Sequence, residues 1–336
     1  MTRTLFGLFL AGALALAASD ARAADTKITL AQTSAALGFS PVQLALAEGF
    51  FKKHGLDVEV QIVSHGDSDT LAALHSGDVQ FGAMTLVATL QGMARGEKLQ
   101  IVSPFVREFV VQFVINPDAA KKIGLTDKMP LKEKFQRAKG MTVGTLDVGG
   151  GLHILFRAQA KEYGLDPEQD FTVTSINSYP SLLAAAQRDQ IDIALTAIPF
   201  GRLGVRDEGL LMFADYWGGA VPEFDGAYHQ GLVVPADYAQ KNPDAVKRMH
   251  AAMDDALQFL HAQPDKAVAD LHQAYPKLPE DIIRSFIVGD AKSYASRAIV
   301  SRKGFAILRD FVAKSVIAQA ASLDYASSVV PEAQEK

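Results

Sequence analysis

The apolar positions of the chain fall into short runs separated by longer Ala/Leu-rich stretches, and this grammar occurs twice. Residues 71–73 and 79–83 (Leu-Ala-Ala, then Val-Gln-Phe-Gly-Ala) read like residues 183–185 and 191–195 (Leu-Ala-Ala, then Ile-Asp-Ile-Ala-Leu), displaced by 112 positions. Upstream, residues 54–60 resemble residues 163–166 followed by 171–173, displaced by 109 at the first residue. In each copy a strand (28–32; 141–145) leads into a helix (41–53; 151–163). The helix stops at Gly55 or Gly164, where glycine adopts a left-handed conformation with the least strain. A second strand, an Ala/Leu helix and a short apolar strand (79–83; 191–195) complete the unit. Strands alternating with helices of this length predict βαβ units and parallel sheets. A repeat of about 110 residues is too long for a solenoid, so the pattern predicts two similar α/β lobes.

The remaining runs connect them. Residues 101–106 and 110–115 are apolar stretches suited to carry the chain from lobe one to lobe two, and residues 212–234 suit its return. Residues 243–318 read as mostly helical with breaks at Pro264, Pro276 and Pro279, a tail expected to pack on the first lobe and its hinge. Lobe one is therefore expected over residues 25–112 plus 226–336, and lobe two over 113–225. Residues 1–23 stand apart: Arg3, an apolar run over 5–18 and Ala21-Arg22-Ala23 together form a cleavable export signal, with cleavage near Ala23. That apolar run is shorter than a spanning helix needs. A periplasmic, exported protein is expected.

Composition narrows the function. The chain has 336 residues, 49% hydrophobic and 21% charged, which fits a globular fold. Its 33 Lys+Arg against 38 Asp+Glu give a net charge of −5, so no nucleic-acid partner is expected. With no cysteine, disulfides, thiolate metal sites and a Cys nucleophile are excluded. His250, His261 and His272 recur every eleven residues, but Pro264 interrupts the helix that would align them, and no metal site is expected. No His-Glu-x-x-His, Gly-x-Ser-x-Gly or Ser-x-x-Lys motif occurs. Neither catalytic residues nor cofactors are expected.

Candidate binding residues come from the loops between strand ends and helix starts, where open parallel sheets hold ligands and helix N-termini offer free N–H groups. These loops supply Phe39, Ser40, His65, Asp67, Met84, Thr85, Gly150, Gly151, His153 and Thr196. Residues 149–151, a run of three glycines before a helix, form neither a dinucleotide fingerprint nor a P-loop. They serve either as a ligand cradle or as a plain turn. Asp67 reads equally as a ligand group or a helix cap. Trp217, the lone tryptophan, reads as core or as a wall of the site. The expected ligand is small and anionic or zwitterionic.

Residues 47–58 (Ala-Glu-Gly-Phe-Phe-Lys-Lys-His-Gly-Leu-Asp-Val) and 73–82 (Ala-Leu-His-Ser-Gly-Asp-Val-Gln-Phe-Gly), with a second half-match at 190–194, resemble the nitrate/sulfonate/taurine family of periplasmic solute-binding proteins of ABC transporters. The resemblance implies a two-lobed type II periplasmic binding protein fold that closes on a sulfonate-, taurine- or carboxylate-like solute. It also implies delivery to an ABC transporter permease by a monomeric protein that is not an enzyme. Gln80 departs from the family's acidic residue, and the loop at 64–68 brings an acid and a histidine, which sets a simple oxyanion such as nitrate aside. Two alternatives share the fold. One is a pyrimidine-synthase-like enzyme of thiamin biosynthesis, whose cysteine-rich motif this chain lacks. The other is an exported ligand sensor.

Overall fold

A computed structural model of the protein describes residues 25–217 and 226–336. The expected export signal lies outside the described residues.

The first unit runs β1 (Thr26–Gln32), α1 (Ser40–Ala47), α2 (Phe50–Lys53), β2 (Leu56–Ile62), α3 (Gly66–Ser76), β3 (Phe81–Thr85), α4 (Leu86–Ala94) and β4 (Leu99–Val106). The chain crosses directly into β5 (Val111–Ile115) and continues through α5 (Pro117–Ile123), α6 (Leu131–Arg137), β6 (Thr142–Thr145), α7 (Gly151–Glu162), β7 (Thr172–Ser175), α8 (Tyr179–Gln187), β8 (Ile193–Ala197), α9 (Phe200–Asp207) and β9 (Leu211–Asp215). It returns as β10 (Gln230–Pro235) and ends in helices that include α10 (Ala236–Lys241), α11 (Pro243–Ala262), α12 (Pro264–Ala274), α13 (Glu280–Ile287) and α14 (Arg302–Ser315).

These strands form two five-stranded sheets, ordered β2-β1-β3-β10-β4 and β7-β6-β8-β5-β9. The orders correspond strand for strand, as the sequence repeat predicts, and Phe81 opening β3 matches Ile193 opening β8. Both sheets are mixed rather than purely parallel. β10 runs antiparallel to β3 and β4, and β5 antiparallel to β8 and β9. In each case the odd strand is the one that enters from the other sheet without a crossover helix to reverse it. The expected boundary between residues 112 and 113 falls inside β5.

Three local differences from the sequence pattern have clear causes. The helix expected over 41–53 is two helices, because Gly49 sits at φ +68° and interrupts the hydrogen-bond ladder between α1 and α2. Gly55 and Gly164 adopt the expected left-handed conformation, at φ +69° and +80°. The strands expected over 79–83 and 191–195 begin two residues later, because Gln80 and Asp192 turn sideways. The Gln80 side-chain oxygen accepts the Thr29 N–H at 2.8 Å, and Asp192 accepts the Thr142 N–H at 2.7 Å. Gln80 thus performs with an amide what its counterpart in the second sheet performs with a carboxylate.

β3, β5 and β8 are buried throughout, as strands covered on both faces must be. α11 packs against α1, α2 and β4. His250 and His261 lie on α11 and His272 on α12, each with a ring nitrogen on a backbone carbonyl, of Val102, Ala295 and Leu278 respectively. Among the described residues no helix is long and apolar enough to cross a membrane.

Candidate ligand-binding site

The C-terminal ends of β1, β3, β6 and β8 converge between the two sheets, and Asp67 sits at the meeting point. It lies in the first turn of α3 and is 3% exposed. Its Oδ1 accepts the Thr85 N–H at 2.9 Å and the Thr33 hydroxyl at 3.3 Å. Its Oδ2 accepts the Thr85 hydroxyl at 2.6 Å and the Gly151 N–H at 2.8 Å. Thr85 is the N-cap of α4 and Gly151 the first residue of α7. One carboxylate therefore serves two helix N-termini, one from each unit, where backbone N–H groups lack helical partners. Burial pushes its pKa up, and the four hydrogen bonds oppose that rise.

Asp147 makes the reciprocal contact. Its Oδ2 accepts the Ser68 N–H and its Oδ1 the Ser68 hydroxyl, both at 2.8 Å, so an acid from the second unit holds the start of α3. Burial raises its pKa, and the neighbouring Asp67 charge adds to the rise. A third link is backbone to backbone, from the Leu37 N–H to the Ile198 carbonyl at 3.1 Å. Two glycines permit this approach. A Cβ on Gly151 would lie 2.3 Å from Thr85 Oγ1, and Gly66, at φ +59°, brings its own Cβ position to 3.2 Å from Asp147 Cβ.

These contacts enclose an inner chamber of about 30 Å³, room for roughly two waters. Thr33, Ser34, Thr145 and Tyr179 supply hydroxyl groups to its walls, and His229 and Gln230 at the start of β10 complete them. Among the described residues no lysine or arginine lines it. Through Thr33, Ser34, Leu146 and Tyr179 it adjoins an outer chamber of about 360 Å³ whose walls are largely apolar and include Phe200, Tyr275 and Pro276. Tyr179 and Phe200 stack there with ring centroids 4.4 Å apart.

Of the candidates named from the sequence, Phe39, Asp67, Thr85, Gly150 and Gly151 line the inner chamber. The others lie elsewhere. The Ser40 hydroxyl donates to the Leu37 carbonyl and the Thr196 hydroxyl to the Gln112 carbonyl, both at 2.5 Å. Met84 is fully buried. His65 is exposed and bonds Asp69. His153 Nδ1 accepts the Gly149 N–H at 2.9 Å, so it braces the glycine run rather than facing the chamber, and burial pushes its pKa down to about 4. Trp217 is buried at the return crossing, between the Arg202 guanidinium 3.7 Å above its ring and Phe286 of α13.

Sequence reading passed over Thr33, Ser34, His229 and Gln230. The first two are a polar pair directly after β1. The last two put a polar pair into the apolar run that returns to lobe one, and that was the available signal.

The family model described as NMT1/THI5 like matches residues 37–267. Among curated proteins, the 4-amino-5-hydroxymethyl-2-methylpyrimidine phosphate synthase THI11 of Saccharomyces cerevisiae is 30% identical over 132 residues, which is 39% of this chain and 35% of the yeast protein. The match thus spans about a third of that relative's length. Among solved structures, a Bordetella bronchiseptica RB50 protein superposes with a TM-score of 0.78 at 18% identity, over 91% of this chain and 94% of the other. The periplasmic nitrate-binding protein NrtA from Synechocystis PCC 6803 gives 0.70 at 16% identity, over 90% and 84%. The periplasmic aliphatic sulphonate binding protein SsuA from Escherichia coli gives 0.62 at 16% identity, over 85% and 90%. The chain has the periplasmic binding protein fold.

Proposed function

The chain belongs to the NMT1/THI5-like family, and on that premise we propose that it is an exported solute-binding protein that delivers a small organic molecule to an ABC transporter permease. The observation that carries this reading is the polar chamber between the two sheets, walled by strand ends of both units and bridged by hydrogen bonds. Each unit holds only part of the ligand shell, which suits closure around a solute. The fold shared with a sulphonate-binding and a nitrate-binding periplasmic protein supports the same role.

In this reading the lobes are those expected from the sequence, residues 25–112 plus 226–336 and residues 113–225, with the first boundary moved to the crossing at 107–110 so that β5 stays whole. Residues 1–23 are the export signal. The protein is a monomer without catalytic residues or cofactors. Helix N-termini attract anions, and the family resemblance narrows the expected solute to a sulfonate-, taurine- or carboxylate-like one. Three of those termini already hold the carboxylates of Asp67 and Asp147, so zwitterionic solutes fit better than simple anions.

A thermal-shift screen against sulfonates, carboxylates, nitrate, amino-acid derivatives and pyrimidines tests the proposal, since a solute that binds only the folded form raises its apparent stability. A saturable shift with one compound class, with that compound recovered unchanged, is the expected result. The yeast relative's name keeps a synthase in view. Chemical conversion of a bound pyrimidine, followed by mass spectrometry, would replace the binding role with an enzymatic one.

A further inference from the structure

The outer chamber is much the larger of the two spaces at the site, about 360 Å³, and three separate stretches of the chain wall it. The first unit contributes residues 33–35 and 62–64, and the second contributes Leu146, residues 177–180 and Phe200. The third wall, residues 274–278 between α12 and α13, belongs to neither copy of the repeat. That turn is pinned both to itself and to β1. The Leu278 N–H donates to the Tyr275 carbonyl at 2.9 Å, and the His272 ring holds the Leu278 carbonyl at 3.0 Å. The Gln32 side-chain amide donates to the Tyr275 hydroxyl at 3.3 Å. A wall held in this way needs little further ordering when a solute binds.

The walls offer mainly apolar and aromatic surface. Tyr179 stacks on Phe200, and its hydroxyl is engaged with the Ser34 side chain and the Ala197 backbone, so its ring is what it presents to the chamber. Val63, Tyr275 and Leu278 extend this surface, and Ile62, 52% exposed at the end of β2, carries it outward. Among the described lining residues the one charged side chain is Lys277, which is exposed. A charged group therefore finds no partner deep in the chamber, whereas an apolar group gains by leaving water there. Volume sets the size of that group. An apolar cavity of about 150 Å³ holds one benzene molecule, so a chamber of about 360 Å³ takes a body of about two rings. Aromatic walls add offset or edge-on ring contacts to the area buried. Nitrate or taurine would leave most of these walls facing water.

We infer that the solute carries a flat aromatic body of about two rings, held in the outer chamber between Tyr179, Phe200 and the turn at 274–278. This rests on the solute-binding reading and names the class of solute by its body rather than by its charged group.

Isothermal titration of the purified protein tests it with probes that pair three charged groups with two bodies. The large probes are naphthalenesulfonate, naphthoate and naphthylmethylammonium; the small ones are methanesulfonate, acetate and methylammonium, with taurine added. The tightest large probe should bind at least tenfold more tightly than the tightest small one, at one site per chain. A smaller ratio overturns the inference, and so does failure of all three large probes to bind. Ile62→Ser changes a half-exposed side chain, so the melting temperature should hold while the affinity of that large probe falls at least threefold. Unchanged affinity would place the body outside this chamber and overturn the inference. A small probe that saturates the protein where no large probe binds would remove the aromatic body and leave the solute-binding reading standing, and the broader screen for any stabilising solute decides that reading separately.

Discussion

Asp67 Oδ2 accepts the backbone N–H of Gly151 at 2.8 Å, so a carboxylate from the unit of the first sheet caps the leading helix turn of the second. The link between the two units and the helix cap are the same contact at this point, which makes both residues sensitive places to intervene.

Gly151→Val should weaken ligand binding at least tenfold, or about 1.4 kcal/mol. The new Cβ would meet Thr85 Oγ1 at 2.3 Å and Thr85 Cβ at 2.7 Å. Thr85 cannot swing aside, because its hydroxyl is committed to Asp67 and its branched side chain has few rotamers. The units should stand further apart, and small-angle scattering should report a larger radius of gyration. Unchanged affinity and unchanged scattering would move the site away from the glycine run.

Asp67→Ala removes the acceptor for the Thr85 and Gly151 N–H groups and for two hydroxyls. Buried donors left without a charged partner cost about 3 kcal/mol in aggregate. Urea unfolding should show the loss as a lower midpoint. A midpoint equal to wild type would mean that water replaces the carboxylate without penalty.

Stability should respond to acid in two opposite ways. Asp147 has a raised folded-state pKa, so its contribution is fully present below the unfolded value near 3.8 and is lost as pH rises through the folded value. His153 has a folded-state pKa lowered to about 4. Its contribution is present above the unfolded value near 6.5 and is lost as pH falls toward 4, because protonated Nδ1 can no longer accept the Gly149 N–H. Relative to wild type, Asp147→Asn should gain stability as pH rises from 4 to 7. His153→Gln should lose its disadvantage as pH falls from 7 to 4. Denaturant titrations at pH 4, 5, 6 and 7 check both slopes, and parallel wild-type and variant curves would contradict them.

Trp217 is the chain's one tryptophan. It is gripped by Arg202 of α9 in the second unit and by Phe286 and Ser293 of the C-terminal segment. Separation of the units should change its surroundings, so a saturating ligand should shift its emission and Arg202→Met should reduce that shift. An identical spectrum with and without a tight ligand would show that the crossing does not move.

The sequence made the architecture readable because a duplicated pattern states the same strand order twice, and Gly55 and Gly164 punctuate it at corresponding places. It left the antiparallel strands unread, since β5 and β10 carry the same apolar composition as their parallel neighbours and direction leaves no compositional trace. At the site, Asp67, Thr85 and Gly151 stood out because strand-to-helix junctions follow from local pattern. Gln230 and His229 did not, because their positions depend on β10 inserting between β3 and β4, more than a hundred residues away along the chain. His153 and Thr196 occupy junctions of the right kind, but their polar atoms turn toward their own backbone surroundings.

The strand order also fixes when each half can mature as the polypeptide is synthesised. Every strand of the second sheet lies between Val111 and Asp215, so that sheet is complete before β10 has been made. The first sheet is different. β10 separates β3 from β4, and until residues 230–235 emerge, its four earlier strands remain a three-stranded fragment and an unpaired ribbon. The half whose strands come first along the chain is therefore the last to be finished, and its distant pairing keeps the nascent polypeptide open until β10 is made.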